Sequence, residues 1–213
     1  MTARARARAF ALAALMASPL VGCGAARPAV PPEESGPLRP AADLGPDVMY
    51  RQELVVRRDG RARRLDVVLQ KRGDTLLLLA LTPLGTRAFS IELAGREARF
   101  TDYTGGRVEA PFPPRVVLLD VGRTLAPWLA SEGAALGDGW HQGERDGELV
   151  RERWQAGRLF ERTFRRVDGR PPGDVHVAFD GGAVPSGTPP PIRLRNERLG
   201  YELELRTLER HPL

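Results

Sequence analysis

From residue 50 onward, apolar and polar residues alternate in short runs, each stopped by glycine, proline or aspartate. Alternation with a period of two places one set of side chains on a buried face and the other in water, so these runs predict strands. Residues 50–58 lead into Asp59-Gly60, a hairpin signal, and 64–71 then carry Leu65, Val67 and Leu69 on one face. Gly73-Asp74 turns the chain into 75–82 (TLLLLALT), which is apolar on both faces. Such a strand is expected in the centre of the sheet, with one face on the core and the other covered. Pro83-Leu84-Gly85 ends it. Phe89, Ile91 and Leu93 next alternate with polar neighbours, and Ala98, Phe100 and Asp102 precede Gly105-Gly106, so five strands are predicted by residue 104.

After Pro113-Pro114, the residues Val116, Leu119, Leu125 and Trp128 predict an amphipathic helix over 115–129, lying on the sheet and interrupted by Gly122 and Pro127. Strand patterns return at 149–155, 159–166 and 175–179, with Gly157-Arg158 as a tight turn. Proline and glycine fill 181–191, and the alternating runs 192–195 and 201–206 close the chain. The expected fold class is mainly β (α+β): an antiparallel half-barrel sheet capped by one or a few short helices.

The first 23 residues follow another logic. Basic Arg4, Arg6 and Arg8 precede an apolar run over 9–17, too short to span a bilayer, and then Leu20-Val21-Gly22-Cys23. This order predicts a signal peptide over 1–22. Leu-Val-Gly-Cys resembles the bacterial lipobox, which implies cleavage before Cys23 and lipid attachment to its thiol. Several acyl chains, each contributing about 0.8 kcal/mol per buried CH₂, make a durable anchor. Gly24 stands where aspartate would hold a lipoprotein at the inner membrane in enteric bacteria, so by resemblance to that sorting rule the outer membrane is expected. Proline after proline over 23–47 predicts a lipidated tether, leaving 48–213 as one folded body.

Composition narrows the function. Charged residues make up 28% and hydrophobic residues 42% of the 213, the balance of a domain that folds in water. Removing Arg4, Arg6 and Arg8 takes the net charge from +5 to +2, and the remaining arginines are scattered, so no nucleic-acid partner is expected. Cys23 is the single cysteine, which excludes an internal disulfide and a multi-cysteine zinc site. His141, His176 and His211 lack metal-ligand spacing. His141 near Glu144 and Asp146 reads as a solvated hairpin, and Ser186 sits in a Pro-Ser-Gly-Thr-Pro loop without a nucleophile elbow. Neither catalysis nor a cofactor is expected.

The stretch TLLLLALTPLGTRAFSIELAGREARFTD with Gly105-Gly106, the proline-bounded helix ending in Trp128, and the C-terminal Pro-Ile-Arg-Leu-Arg-Asn with Tyr201-Glu-Leu-Glu-Leu together resemble the LolB outer-membrane lipoprotein receptors. They are similar also to uncharacterised LolB-like predicted lipoproteins. The resemblance spans most of 50–208, and the turn over 82–85 is its specific part. It implies a half-barrel around a cavity that accepts acyl chains, and it carries to Leu84 the role of a loop leucine that dips into the membrane. Leu84 read from the residues alone is either such a tip or a turn leucine packed back on the sheet edge.

The cavity wall can be assigned by face, with Leu77, Leu79 and Leu81 as one set and Phe89, Ile91 and Leu93 as another. Both sets serve a solid core equally well. Two functions follow: a monomeric, membrane-anchored protein that binds an acyl lipid or lipoprotein and assists its insertion or transfer, or a solid-core scaffold lipoprotein that recruits an envelope partner.

Overall fold

The computed structural model describes residues 36–106, 112–130, 134–184 and 187–213. The signal peptide, Cys23, the tether up to residue 35 and Ser186 lie outside the described residues.

The first five strands are β1 (Val48–Arg58), β2 (Arg61–Arg72), β3 (Thr75–Leu81), β4 (Arg87–Ala94) and β5 (Glu97–Asp102). The second set is β6 (Gly139–Arg145), β7 (Glu148–Gln155), β8 (Arg158–Arg166), β9 (Asp174–Ala183), β10 (Ile192–Asn196) and β11 (Tyr201–Pro212). All pair antiparallel in one open sheet, ordered β5-β4-β3-β2-β1-β11-β10-β9-β8-β7-β6. The fold is therefore mainly β, a half-barrel with one α-helix, α1 (Pro114–Leu125), among the described residues. Every connection within the two halves is a hairpin between neighbours; the halves join where the first strand pairs with the last, from Val48↔Pro212 to Arg58↔Tyr201. The central strand is thus β11, whereas the leucine-rich β3 is an interior strand third from one edge.

Helix α1 begins at Pro114, whose fixed φ suits the first helical turn, and ends at Leu125, because Ala126, the residue before Pro127, is driven out of the helical region. It bridges two apolar clusters. Val116 belongs to the cluster that holds Val150, Trp154, Phe164 and Val177 of the second half, and Leu118 to the one that holds Val67, Leu76, Leu78 and Ile91 of the first. Trp128, just past the helix, donates its indole N–H to the Gly122 carbonyl at 3.0 Å.

The distal part of the expected tether belongs to the body. Leu38 and Ala41 are buried in the first cluster beside β2 and β3. Arg39 donates to the Pro127 carbonyl at 2.7 Å, and its guanidinium lies 4.4 Å from the centre of the Trp128 ring. This stretch is a strap with a 3-10 turn over Ala41–Leu44, and its buried apolar side chains hold it down.

Candidate functional site

Two cavities lie between α1 and the concave face of the sheet. The upper one, about 80 Å³, has walls of Leu54, Val56, Leu65, Ile91, Leu203 and their neighbours. Its polar lining side chains are engaged with the protein: Gln52 Nε2 donates to Thr207 Oγ1 at 3.1 Å, and the Tyr201 hydroxyl donates to Asp120. The lower one, about 140 Å³, opens beside Val48, Lys71, Trp154, Arg162 and Arg210. Leu69, Thr124 and Leu125 line both, so the two spaces adjoin beneath the C-terminal turn of α1. The larger is close to the roughly 150 Å³ apolar hollow that admits a benzene-sized guest.

The two residue sets expected to form a cavity wall do not share a face. Phe89, Ile91 and Leu93 are buried on the concave side, and Phe89 and Ile91 line the upper cavity. Their cross-strand partners are Ala80, Leu78 and Leu76, which are buried with them. Leu77, Leu79 and Leu81 occupy the alternate positions of β3 and lie half-buried on the convex face beside Gln70, Val68 and Asp66. In a strand apolar on both faces, parity cannot be read from the strand itself; pairing with β4 decides it.

Leu84 stands at the tip of the β3–β4 hairpin. The Gly85 N–H donates to the Thr82 carbonyl at 2.8 Å, the Thr82 N–H to the Thr86 carbonyl at 2.8 Å, and the two threonine hydroxyls meet at 2.8 Å. Gly85 takes a φ of 78°, a conformation that glycine adopts without steric cost. This stapled turn leaves Leu84 90% exposed. The β1–β2 hairpin, bearing Arg57, Arg58, Arg61, Arg63 and Arg64, projects past the Asp66↔Leu81 pair at the same end of the sheet.

A buried ionic network fastens α1 to the second half of the sheet. Arg123 bonds Asp120 at 3.0 Å and Glu148 at 2.8 Å, and Arg198 reaches both oxygens of Glu148, at 2.8 and 2.7 Å. Burial pushes the Glu148 carboxyl up, but the bonds from Arg198 and the charge of Arg123 outweigh it and hold the group below its ordinary value. Deeper in, Glu152 accepts from Arg162 Nε at 2.7 Å and from the Trp154 indole at 3.0 Å. Arg162 Nη1 donates to the Arg123 and Ala126 carbonyls at 2.7 and 3.0 Å, closing the C-terminal end of α1. Burial lowers the Arg162 guanidinium from its ordinary value although Glu152 opposes the shift. Burial, then the adjacent Asp120, pushes the Tyr201 phenol well up, so it acts as a donor.

The sequence reading missed this network. A signal for it exists: in β7, Glu148 and Glu152 share the parity of Val150 and Trp154, so the same face that buries the apolar pair must bury the two carboxylates. The histidines form no common site. His141 Nε2 bonds the Gly137 carbonyl at 2.7 Å, His211 lies 3.3 Å from Glu209, and His176 lies 3.7 Å from Glu197. Among the described residues no cluster of His, Cys, Asp or Glu is arranged to hold a metal ion.

Solved structures with a related outline include a LolA superfamily protein from Nitrosomonas europaea, with 13% identity and a TM-score of 0.46 over 81% of this chain and 90% of that one. A domain described as an outer membrane lipoprotein-sorting protein, from Vibrio parahaemolyticus, has 10% identity and a TM-score of 0.44 over 79% and 86%. A DUF1329 family protein from Desulfovibrio piger has 11% identity and a TM-score of 0.37 over 83% and 93%. No curated protein matches. The family model for "Protein of unknown function (DUF3261)" matches residues 49–209, which take in nearly all of the sheet and its helix, and the chain belongs to that family.

Proposed function

We propose that this protein, anchored through Cys23 at the periplasmic face of the outer membrane, binds acyl chains of a lipid or lipoprotein beneath α1 and assists their passage into the bilayer. It does so without catalysis or a cofactor. The observation that carries this reading is the pair of adjoining cavities under α1, the upper one apolar-walled, because apolar guests need shape and dryness rather than directional bonds.

The exposed Leu84 tip supports the second half of the reading, beside arginines suited to anionic head groups. Gly36, the first described residue, has a carbonyl that accepts from Arg115 at 2.6 Å and lies near Arg166 at the end of β8, the same end of the sheet as Leu84. Cys23 stands 13 positions earlier, a reach of at most about 45 Å, so the anchor draws the Leu84 end toward the bilayer.

The test is native mass spectrometry with lipid extraction on the full chain expressed in the periplasm. Stoichiometric acyl lipid is expected, lost in Leu54→Trp, which fills the upper cavity, and kept in Leu79→Trp on the convex face. Protein free of acyl lipid that also takes up no fluorescent fatty acid refutes the reading and leaves the solid-core scaffold.

A further inference from the structure

The lower cavity differs from the upper in carrying cations. Lys71, Arg162 and Arg210 all line it. Lys71 pairs with Asp47 at 2.9 Å and Arg162 with Glu152 at 2.7 Å, whereas Arg210 has no carboxylate within ion-pair distance among the described residues. Arg210 is half-buried opposite Tyr50 in the β1–β11 pairing, and its Nε is buried without a hydrogen-bond partner. The Tyr50 hydroxyl and Arg162 Nη2 likewise have no protein partner among the described residues. Three cations against two carboxylates leave this cavity one positive charge in excess, with several N–H and O–H donors unused.

A half-buried guanidinium without a counter-charge presents paired donors that match the two oxygens of a carboxylate or phosphate. We infer that the lower cavity receives the anionic head group, carboxylate or phosphate, of an amphiphile whose acyl chain runs past Leu69, Thr124 and Leu125 into the upper cavity. This rests on the acyl-binding reading above and adds the head group and the polarity of the bound molecule. The upper cavity has no cation, and its Asp120 is already bonded to Arg123 and Tyr201, so a head group placed there is repelled or left unpaired. The ligand therefore lies with its head at the Val48 and Arg210 end of the sheet and its tail directed toward the end that bears Leu84.

The test is calorimetric titration of the delipidated full chain with oleate, oleyl alcohol, lysophosphatidate and inorganic phosphate. Oleate and lysophosphatidate are expected to bind at least tenfold more tightly than oleyl alcohol, a difference of about 1.4 kcal/mol. Arg210→Gln is expected to abolish that preference, and a melting temperature matching the wild type shows that the variant is folded. Equal affinity of the wild type for oleate and oleyl alcohol overturns the head-group site and spares the acyl cavity. Inorganic phosphate binding as tightly as lysophosphatidate overturns the amphiphile and leaves a plain anion site. Failure of all acyl ligands to bind overturns both readings.

Discussion

Replacing Arg162 by Met takes the cation from a carboxylate that has no exposure to solvent. Glu152 keeps only the neutral Trp154 indole as donor, and the Arg123 and Ala126 carbonyls lose theirs. Leaving a buried charge without its partner costs about 3–5 kcal/mol, and the orphaned carbonyls do not add to this in full because α1 can relax at its end. We expect a loss of about 4 kcal/mol, a large share of the roughly 5–15 kcal/mol that holds a domain together. In urea, with a slope of about 2 kcal/mol per molar, the midpoint falls by about 2 M. Glu152→Gln added to Arg162→Met removes the stranded charge while keeping an acceptor for Trp154, and it is expected to recover at least half the loss. Equilibrium unfolding followed by tryptophan fluorescence measures all three proteins. A single variant within 1 kcal/mol of wild type, or a double variant no better than the single, refutes the account of a paired buried charge.

Two further outcomes follow from features at the top of the sheet. Leu84→Glu is expected to leave the melting temperature unchanged and to weaken co-flotation with phosphatidylethanolamine and phosphatidylglycerol vesicles about tenfold or more, since burial of one leucine contributes about 1.5–3 kcal/mol; unchanged vesicle binding removes Leu84 from the membrane contact. Glu148 is held below its ordinary value, so its contribution to stability is complete above an unfolded pKa of about 4.3 and is lost as pH falls through the lower folded value. Below about pH 4 the wild type is therefore expected to lose stability more steeply than Glu148→Gln, and parallel acid-unfolding curves argue against the Arg123–Glu148–Arg198 cluster as the acid-sensitive element.

Strands were legible where alternation is strict and turns are marked by glycine, as in β1, β2 and β4, because period and punctuation are local properties. The sequence of the edge strand β6 shows only a solvated hairpin; its side chains are mostly exposed, so no buried face marks it as a strand. The helix stops at Leu125 rather than 129, because the proline at 127 drives Ala126 out of the helical region. The strap over 36–47 was hidden by its prolines, and only tertiary packing of Leu38 and Ala41 identifies it. For the candidate site, the concave set Phe89 and Ile91 was legible, while its partner set needed the register of β3 against β4. The cationic lower cavity was not legible at all, because Lys71, Arg162 and Arg210 come from strands far apart in the chain.

The seam between β1 and β11 has a consequence for how the molecule is made. Truncations usually trim an edge, but Tyr201–Pro212 form the sixth of eleven strands. Each half can assemble by local hairpins, whereas the seam joins residues about 150 positions apart, a contact of the kind that forms slowly. Until the C-terminal segment arrives, β1 and β10 both present open edges, the form most prone to pairing with other chains. A nascent or clipped chain is thus two sticky half-sheets, and the protein becomes safe from aggregation only when its last strand slots into the middle.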